Sequence, residues 1–428
     1  MFALLIYRIL SIVLLPIMLL VLLFLSINNP QYRQRLHERL GFSPKHYKKN
    51  GIIVHAASVG EVIALTPLIE QLLQTYPNLP ITLTTFTPTG SAQVRKQFSS
   101  RVQHCYLPID FILCTQLFIT RLQPQLIVFM ETEIWPNLIN QCVKKQIKLL
   151  LINGRLSANS IKSYKRISPL ITPALNHFDK ILCQSQDNLS NFLQLGANNE
   201  RCIVSGNLKF DISINDTILD KQAQLSTLLP KHRQLWLVAS THQGDEEAAL
   251  TAFKQIKALF PTLLLVIVPR HPERFKAVEK LSLSHHFTVA KRSENKRVES
   301  EDIWLLDTLG ELMATYALAD VITMGGSFSN IGGHNPLEPA LFSKPIVVGS
   351  DMSNFTEVLK QLKQLQGIVQ LPPSKTSTEQ SSLLAQIIIN LLQDESQAEL
   401  LGKQAHQAVI NNQGASERTL SYIQELMT

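Results

Sequence analysis

The stretch MGGSFSNIGGHNPLEP, residues 324–339, follows a mostly apolar run at 319–323 that has the composition of a buried strand. It brings four glycines, a histidine and two asparagines to the start of the next helix. Asn335 is the predicted N-cap of that helix, with Pro336 as its first residue and Glu338 as its third. Because glycine-rich loops and helix N-termini bind anions, the stretch predicts a phosphate site. The alternative is a glycine-rich strand-to-helix connection with an ordinary capping box, and the stretch alone does not exclude it.

Short apolar runs alternate with amphipathic stretches along most of the chain. We predict strands at 51–57, 81–87, 102–107, 126–130, 147–152, 180–184, 202–204, 235–239, 263–268, 287–290, 303–306, 321–323, 346–348 and 367–371. Strands that alternate with helices predict parallel sheets covered on both faces. At 428 residues the chain exceeds one ordinary hydrophobic core. The predicted fold is therefore α/β, with two doubly wound Rossmann-like domains and ligands at the carboxyl ends of the strands.

The predicted domains are 51–212 and 235–428, joined by a polar linker at 213–234, and the second domain includes C-terminal helices. Residues 1–28 are predicted to be a membrane anchor, because 9–26 carry no charge and extension back to Phe2 adds only Arg8. A cleaved signal peptide is the alternative, but no small-x-small cleavage site follows Ser26.

The juxtamembrane segment 29–50 is basic. It contains Arg33, Arg35, Arg39, Lys45, Lys48 and Lys49 against Glu38 alone. Positive flanks stay on the cytoplasmic side, so we expect a single-pass protein with its body in the cytoplasm. The segment and the net charge of +7 favour an anionic membrane surface or an anionic lipid substrate. Nucleic acid is not an expected partner, since no basic patch is interleaved with aromatic residues.

Composition and absent motifs exclude several protein classes. A hydrophobic content of 45% and a charged content of 17% exclude a disordered chain. The five cysteines stand singly in apolar runs, as buried thiols do in a reducing compartment. No P-loop, G-x-G-x-x-G, H-E-x-x-H, G-x-S-x-G or D-x-D motif is present, which disfavours kinases, dehydrogenases, zinc proteases and hydrolases. No metal or cofactor is predicted.

Three polar residues follow predicted strands of the first domain. Glu61 stands three residues after Ser58, so it is either the back-reaching member of a capping box or a general base at the mouth of an interdomain cleft. Glu131 directly follows the strand at 126–130, a position where a carboxylate seldom serves packing. Lys209 adds a cation to the same rim, or it belongs to a solvated turn.

In the second domain, Arg270 follows the strand at 263–268, and the T-x-x-E pattern that ends at Glu311 follows a later strand. Arginine suits a phosphate or a carboxylate. These strand ends converge with residues 325–339 at one sheet edge, which favours a nucleotide or sugar-phosphate site over the bare capping box.

Eight short motifs carry a family resemblance: HAASVGE (55–61), METEIWPN (130–137), NGRLS (153–157), GNLKFD (206–211), STHQGDEE (240–247), VPRHPERF (268–275), DTLGEL (307–312) and GGHNPLEP (332–339). In this order, behind an N-terminal membrane helix, they resemble the Kdo transferases of lipopolysaccharide synthesis. The resemblance covers nearly the whole chain. It implies a GT-B glycosyltransferase that moves 3-deoxy-D-manno-octulosonic acid (Kdo) from CMP-Kdo onto a lipid A precursor, lipid IV-A, at the cytoplasmic face of the inner membrane.

The resemblance also implies site residues. Glu61 matches the family's proton acceptor, while Glu131 and Lys209 match positions that stabilise the transition state. Contacts to CMP would fall on Pro269, Arg270, Leu309, Gly310, Glu311, Asn335, Pro336, Leu337 and Glu338. The implied reaction inverts the anomeric centre without a metal. The sequence departs from the family pattern at 243–245 and 328–331, which bears on the fine geometry of the donor site.

Two other functions stay open from the sequence. One is another GT-B enzyme, such as a sugar-nucleotide epimerase, which would not need the anchor and the basic segment. The other is a non-catalytic, membrane-tethered nucleotide-sugar-binding protein, in which Glu61 would have only a structural role.

Overall fold

The computed structural model describes residues 2–428, so Met1 of the predicted anchor lies outside the described residues. The chain divides into two compact units. Unit 1 runs as far as Asp211 and also takes in Asn412–Thr428, and unit 2 is Ile212–Asn411. Each unit contains one seven-stranded sheet.

The first half of the chain forms unit 1 except for its last helix. In order, its elements are α1 (Phe2–Asn28), α2 (Leu36–Arg39), β1 (Ile52–His55), α3 (Val59–Ala64), α4 (Thr66–Thr75), β2 (Ile81–Thr85), α5 (Pro88–Phe98), β3 (Gln103–Tyr106), α6 (Ile112–Leu122), β4 (Leu126–Met130), α7 (Pro136–Lys144), β5 (Lys148–Gly154), α8 (Ala158–Arg166), α9 (Ser168–Leu175), β6 (Lys180–Cys183), α10 (Gln186–Gln194) and β7 (Cys202–Val204). The strand order is β3-β2-β1-β4-β5-β6-β7, and every pairing is parallel.

The second half forms unit 2 and the closing helix. Its elements are α11 (Asp216–Leu228), β8 (Leu235–Thr241), α12 (Asp245–Lys257), β9 (Leu264–Pro269), α13 (Phe275–Ser284), β10 (Val289–Lys291), β11 (Ile303–Leu305), α14 (Leu312–Tyr316), β12 (Val321–Met324), α15 (Leu337–Ala340), β13 (Ile346–Val348), α16 (Thr356–Gln364), β14 (Val369–Gln370), α17 (Ser377–Gln393), α18 (Glu395–Asn412) and α19 (Ala415–Met427). The order is β10-β11-β9-β8-β12-β13-β14, again parallel throughout.

The central strand β4 is apolar along its whole length, as expected where helices cover both faces of a sheet. β4 has the sequence LIVFM, and all five of its residues are buried. Its side chains alternate between two cores: Ile127 and Phe129 belong to one core, and Leu126, Val128 and Met130 to the other. All fourteen predicted strands overlap observed ones, and the predicted fold class, two doubly wound α/β domains, is confirmed.

The units divide the chain at other points than we expected. The segment 213–234, predicted to be a linker, contains α11 and belongs to unit 2. The last helix, α19, belongs to unit 1, where Ala415 and Ile423 complete the core beneath β1 and β5. Two polar contacts hold α19 there: Gly414 donates its N–H to Asp211 Oδ1 at 2.7 Å, and Arg418 Nε donates to the Ser205 carbonyl at 2.7 Å.

The N-terminal helix α1 is the one helix among residues 2–428 that is long and apolar enough to cross a membrane. The candidate span is Phe2–Ile27. Most of its large apolar side chains are exposed. An exposed apolar surface of this kind marks a site of contact with a membrane or with another protein.

Candidate active site

Both sheets have a topological switch point, where the chain leaves neighbouring strands in opposite directions. In unit 1 the neighbours are β1 and β4, and in unit 2 they are β8 and β12. Ligands of doubly wound sheets bind at the carboxyl ends of such strands. Glu61 follows β1 and Glu131 follows β4, so two of the predicted catalytic residues flank the switch point of unit 1.

The carboxylate of Glu61 is fixed by the turn that starts α3. Ser58 caps the helix by accepting the Glu61 N–H, and its hydroxyl donates to Glu61 Oε1 at 2.8 Å. The Ala57 N–H donates to Glu61 Oε2 at 2.9 Å. The structure therefore contains a variant of the predicted capping box, in which the glutamate bonds to the residue before the cap. Capping fixes the position of the carboxylate and does not exclude a role in catalysis.

Burial and nearby charge raise the pKa of Glu61. The residue is only 9% exposed, and this desolvation is the largest cause. The charge of Glu131 is the next cause and that of Glu133 a smaller one, while the bonds from Ser58 and Ala57 oppose the shift. A carboxylate with a raised pKa takes up a proton more readily, which is the property required of a general base.

Glu131 is held in a left-handed backbone conformation directly after β4. Its φ is 58°, and its N–H continues the sheet by donating to the Ile152 carbonyl at 2.9 Å. The Lys209 Nζ lies 3.9 Å from Glu131 Oε1, with both side chains about one-fifth exposed. The structure thus brings two predicted catalytic residues into an ion pair at the switch point.

Asn153 positions the turn that carries Lys209. It lies at the end of β5 with a φ of 52°, is fully buried, and accepts the Leu208 N–H on Oδ1 at 3.0 Å. Asn207 accepts the N–H of Lys209 itself at 3.0 Å. Asparagine tolerates the left-handed region and can bond to distant backbone, which explains its use at this strand end.

A second carboxylate, Glu133, lies in the loop after β4 and was not among the predicted site residues. Its Oε2 accepts the Trp135 Nε1–H at 2.8 Å and lies 3.4 Å from Nε2 of the fully buried His55. The other ring nitrogen of His55 lies 3.0 Å from the Thr84 hydroxyl. His55 belongs to the motif HAASVGE and Glu133 to the motif METEIWPN, but only the folded structure shows that these two side chains lie next to each other.

In unit 2, Asp245 joins the two loops at the switch point. Its Oδ2 accepts the N–H groups of His242 at 2.8 Å and Gly326 at 2.7 Å, and its Oδ1 accepts that of Phe328 at 3.2 Å. The loop also needs glycine, since a Cβ on Gly333, whose φ is 73°, would lie 2.2 Å from the Met352 sulfur. The conformation of the glycine-rich loop is therefore fixed by hydrogen bonds to the buried carboxylate of Asp245.

Three histidines cluster beside this loop. Nε2 of His242 lies 2.9 Å from Nε2 of His334, with the rings stacked at 5.1 Å, and the His271 ring meets His242 edge-on at 5.2 Å. Burial, and after it the nearby charges of His242, Arg270 and His271, lower the pKa of His334 to about 4. Burial and neighbouring cations also lower the pKa of His242. The stacked pair is therefore neutral at pH 7, with one ring donating and the other accepting.

The predicted CMP-binding residues lie at or after the ends of three strands of unit 2: β9, β11 and β12. Pro269 closes β9, and Arg270 after it is exposed and donates its N–H to the Thr241 carbonyl at 3.0 Å. The charge of Arg270 acts on the half-buried carboxyl of Glu338, whose pKa is raised by desolvation, and on His334. Arg270 therefore lies close enough to Glu338 and to the histidine cluster to influence both electrostatically.

The residues Leu309, Gly310 and Glu311 have other partners. Glu311 Oε1 accepts from Arg292 Nη2 at 2.9 Å, and the Gly310 carbonyl accepts from Lys221 Nζ at 2.8 Å. Leu309 is 70% exposed. This loop presents an apolar side chain and a fixed carboxylate at the edge of unit 2.

The start of α15 differs from the prediction. The helix is Leu337–Ala340, four residues long, and Pro336 is its N-cap, so the prediction of Asn335 as N-cap and Pro336 as first helical residue was wrong by one position. Asn335 caps from one residue earlier, by accepting the Leu337 N–H at 3.2 Å. A helix this short has little macrodipole, so the exposed guanidinium of Arg270 is the better group for binding an anion.

Comparison with known proteins identifies the family. A family profile described as 3-Deoxy-D-manno-octulosonic-acid transferase (kdotransferase) matches residues 34–212. A 3-deoxy-D-manno-octulosonic acid transferase of Haemophilus influenzae is 40% identical over 413 residues, covering 95% of both chains. The chain belongs to the Kdo transferase family.

A second relative supports the assignment. A Kdo transferase of Rickettsia felis is 36% identical over 328 residues, which cover 76% of this chain and 69% of that protein. Among solved structures, UDP-GlcNAc 2-epimerase from Neisseria meningitidis aligns with a TM-score of 0.59 over 89% of this chain at 14% identity. At that identity the likeness shows the fold alone, a two-domain arrangement of GT-B type. The resemblance seen in the sequence motifs is confirmed.

The structure of this Kdo transferase brings some of the predicted site residues close together and shows further residues that position them. Glu61, Glu131 and Lys209 meet at the switch point of unit 1, and Arg270 and the residues 335–338 meet in unit 2. His55, Glu133, Asn153 and Asp245 organise these sites and were not predicted as site residues. Among residues 2–428, no group of three or more His, Cys, Asp or Glu side chains is arranged to hold a metal ion.

Proposed function

We propose that this protein is an inverting glycosyltransferase that moves Kdo from CMP-Kdo to a hydroxyl of a lipid A precursor, lipid IV-A, and releases CMP. The observation that carries the proposal is the Glu61 carboxylate, which is fixed by two hydrogen bonds and has a raised pKa at the switch point of unit 1. Membership of the Kdo transferase family supplies the substrate class.

Glu61 acts as the general base in this proposal. It removes the proton of the acceptor hydroxyl while the oxygen attacks the anomeric carbon of Kdo from the face opposite CMP. The C–O bond to CMP breaks as the new C–O bond forms, so the centre inverts. The pair of Glu131 and Lys209 provides a carboxylate and an ammonium group close to one another, suited to stabilising charge that develops during transfer.

CMP is assigned to unit 2. The residues that hold it in this proposal are Pro269, Arg270, Leu309, Gly310, Glu311, Asn335, Pro336, Leu337 and Glu338. Arg270 is exposed and carries a fixed positive charge, which also acts on His334 beside the loop that Asp245 holds. Its guanidinium can neutralise the leaving phosphate, so we propose that transfer needs no metal ion.

Membrane attachment through α1 completes the proposal. The acceptor is a lipid, and α1 carries an apolar surface that fits a bilayer. The basic segment that follows α1 favours the cytoplasmic leaflet for units 1 and 2.

The substitution Glu61→Gln tests the proposed base. Glutamine can accept the Ala57 N–H on its one oxygen and donate its NH₂ group to the Ser58 hydroxyl, so the melting temperature and CMP binding should remain close to those of the unmodified protein. Turnover with CMP-Kdo and a tetraacylated lipid A precursor should fall at least ~100-fold, because an amide cannot take the proton.

Glu70→Gln is the matched control. Glu70 lies on α4 in the same unit and forms an exposed ion pair with Arg101, so its loss should leave turnover unchanged. Transfer by Glu61→Gln at the control rate would refute Glu61 as the base. A protein that binds CMP-Kdo but modifies no acceptor under any condition would instead be a nucleotide-sugar-binding protein.

A further inference from the structure

The N-terminal end of α1 is bonded to the folded body of unit 1. Tyr7 donates its hydroxyl to Asp110 Oδ2 at 2.9 Å. Arg8 donates from Nε to Asn137 Oδ1 at 3.1 Å and from Nη2 to Asn140 Oδ1 at 2.7 Å. Asp110 is 5% exposed and also accepts the N–H groups that open α7, so it is an integral part of the unit.

The chain that leaves the other end of α1 returns to the same place. Arg39 lies in α2, is fully buried, and its carbonyl accepts the Ile109 N–H at 2.8 Å. Its Nη2 donates to the Phe86 carbonyl at 2.8 Å. Ile109 is the residue before Asp110, which holds Tyr7. The segments on both sides of α1 are thus fixed to adjacent residues of unit 1.

The length of α1 makes these contacts incompatible with a helix that crosses the bilayer. Nineteen residues separate Arg8 from Ile27, which corresponds to about 28 Å of helix. The hydrocarbon core of a bilayer is about 30 Å thick. If Ile27 lay at the surface facing unit 1, Arg8 would lie at the opposite surface, out of reach of Asn140. The observed bonds require both ends of α1 on the side of the membrane that holds unit 1.

One face of α1 is partly buried along the helix. The face includes Leu4, Arg8, Ser11, Leu15, Met18, Leu22 and Ser26, at the three- and four-residue spacing of one helical stripe. The helices α7 and α9 and the 3-10 turn Pro30–Arg33 are its neighbours. The other faces expose large apolar side chains throughout: Phe2, Leu5, Ile6, Ile9, Leu10, Ile12, Val13, Leu14, Ile17, Leu20, Val21, Leu23, Phe24, Leu25 and Ile27.

We propose that α1 lies in the plane of the membrane, with its exposed apolar face among the acyl chains of one leaflet and its partly buried face against unit 1. A helix seated in this way enters the boundary between headgroups and acyl chains without crossing the core. The expectation of a single-pass anchor came from length and composition alone, and the bonds of Tyr7 and Arg8 favour the in-plane arrangement.

The surroundings of α1 fit an anionic leaflet. Exposed Val143 on α7 and exposed Ile167 at the start of α9 add apolar surface on the helices beside α1. Five exposed cations stand on α7, directly after it, or on α8, which packs against α9: Lys144, Lys145, Lys162, Lys165 and Arg166. Cations near an apolar surface attract anionic lipid headgroups. This combination favours a lipid leaflet, rather than an apolar protein partner, as what covers the exposed face of α1.

A topology measurement in bacterial cells tests the proposal. The five native cysteines are free and buried, so a thiol reagent applied to the folded protein reports introduced cysteines. A short hydrophilic extension with one cysteine is placed ahead of Phe2, and Lys375→Cys, on exposed unit 2 surface, marks the side of the body. A membrane-impermeant maleimide is applied to cells with a permeabilised outer membrane and to inverted vesicles. Both cysteines should label only in inverted vesicles, and labelling on opposite sides would overturn the proposal.

Cross-linking supplies a second measurement in native membranes. The pair Arg8→Cys with Asn140→Cys should be joined by a bifunctional thiol reagent as long as an arginine side chain. The control pair is Ile27→Cys with Asn140→Cys, which lies too far apart along α1 to be joined. Equal cross-linking of the two pairs, or none at the first pair, would contradict the in-plane arrangement. Neither measurement uses transfer activity, so a negative result leaves the proposed function untouched.

Discussion

The carboxylate of Asp245, in the first turn of α12, accepts the backbone N–H of Gly326 at 2.7 Å. Eighty-one residues of chain separate the two. Because Asp245 also holds His242 and Phe328, one side chain sets the spacing between the loops that follow β8 and β12. The geometry of the proposed CMP site therefore depends on Asp245, which fixes the two loops but is not itself one of the proposed CMP-binding residues.

Asp245→Asn should weaken unit 2 and its affinity for CMP. An amide presents an NH₂ group to backbone donors that now meet carboxylate oxygen, so one or two N–H groups lose their acceptor. We expect a loss on the order of 1–3 kcal/mol in the free energy of unfolding, measured in urea, and weaker CMP binding by calorimetry. Asp394→Asn is the control, since Asp394 caps Gln397 at the surface and asparagine caps as well. Equal stability and CMP affinity in the two variants would contradict this role.

Glu131→Gln should move the pH dependence of transfer to lower pH. The negative charge of Glu131 is the second largest cause, after burial, of the raised pKa of Glu61. Removing that charge lowers the pKa of Glu61, so the acidic limb of kcat/KM against pH shifts downward, even though the rate itself also falls. Glu133→Gln should shift the limb in the same direction by less. A limb that stays in place or moves upward would show that Glu61 does not produce it.

Acidification should destabilise unit 2 through His334. Burial lowers its folded pKa to about 4, whereas an unfolded histidine titrates near 6.5. Between these values the unfolded chain binds more protons, so stability is complete above pH ~6.5 and is lost as the pH falls towards ~4. The urea midpoint of His334→Gln should therefore change less between pH 7.5 and pH 5 than that of the unmodified protein.

His232→Gln provides the comparison for this measurement, because His232 is exposed in the same unit. His104 in unit 1 also has a pKa lowered to about 4 by burial, so part of the acid sensitivity should remain in every unit 2 variant. Parallel pH profiles for His334→Gln and His232→Gln would exclude His334 as a source of the slope.

Chelation with EDTA should leave transfer largely intact. The exposed guanidinium of Arg270 provides positive charge for the leaving phosphate, and the chain has no D-x-D motif to bind a nucleotide-linked metal. The measurement is the rate before and after chelation, with Arg270→Gln as a variant that should lose activity. Loss of transfer on chelation and recovery with magnesium would refute metal independence.

The strands and the residues at their ends were predictable because the signals are local. The run LIVFM at 126–130 is apolar throughout and short, as a buried strand is, and Glu131 directly after it lies at the carboxyl edge of the sheet. The strand order of the folded sheet then places it beside β1 and Glu61, and that order was not part of the sequence prediction.

Long-range contacts explain what the sequence did not reveal. Asn153 bonds to Leu208, and Asp245 to Gly326, across 55 and 81 residues, and no spacing rule links such pairs. The closing helix α19 is amphipathic, but its pattern does not say which sheet it covers, so it was assigned to the wrong unit. In the same way, the length and apolar composition of α1 predicted that it contacts the membrane. Its proposed orientation in the membrane plane comes from the long-range hydrogen bonds of Tyr7 and Arg8.

Glu131 has a left-handed backbone conformation, with a φ of 58°. The residue that would give the most stable backbone at this position therefore differs from the one that the proposed activity requires. A non-glycine residue in that region costs on the order of 1–3 kcal/mol. Glycine would relax the backbone and asparagine would tolerate it, but both lack the carboxylate beside Lys209. A library of this enzyme selected for heat resistance alone should therefore enrich glycine or asparagine at position 131. Thermostabilised variants from such a selection would have to be re-screened for turnover before use.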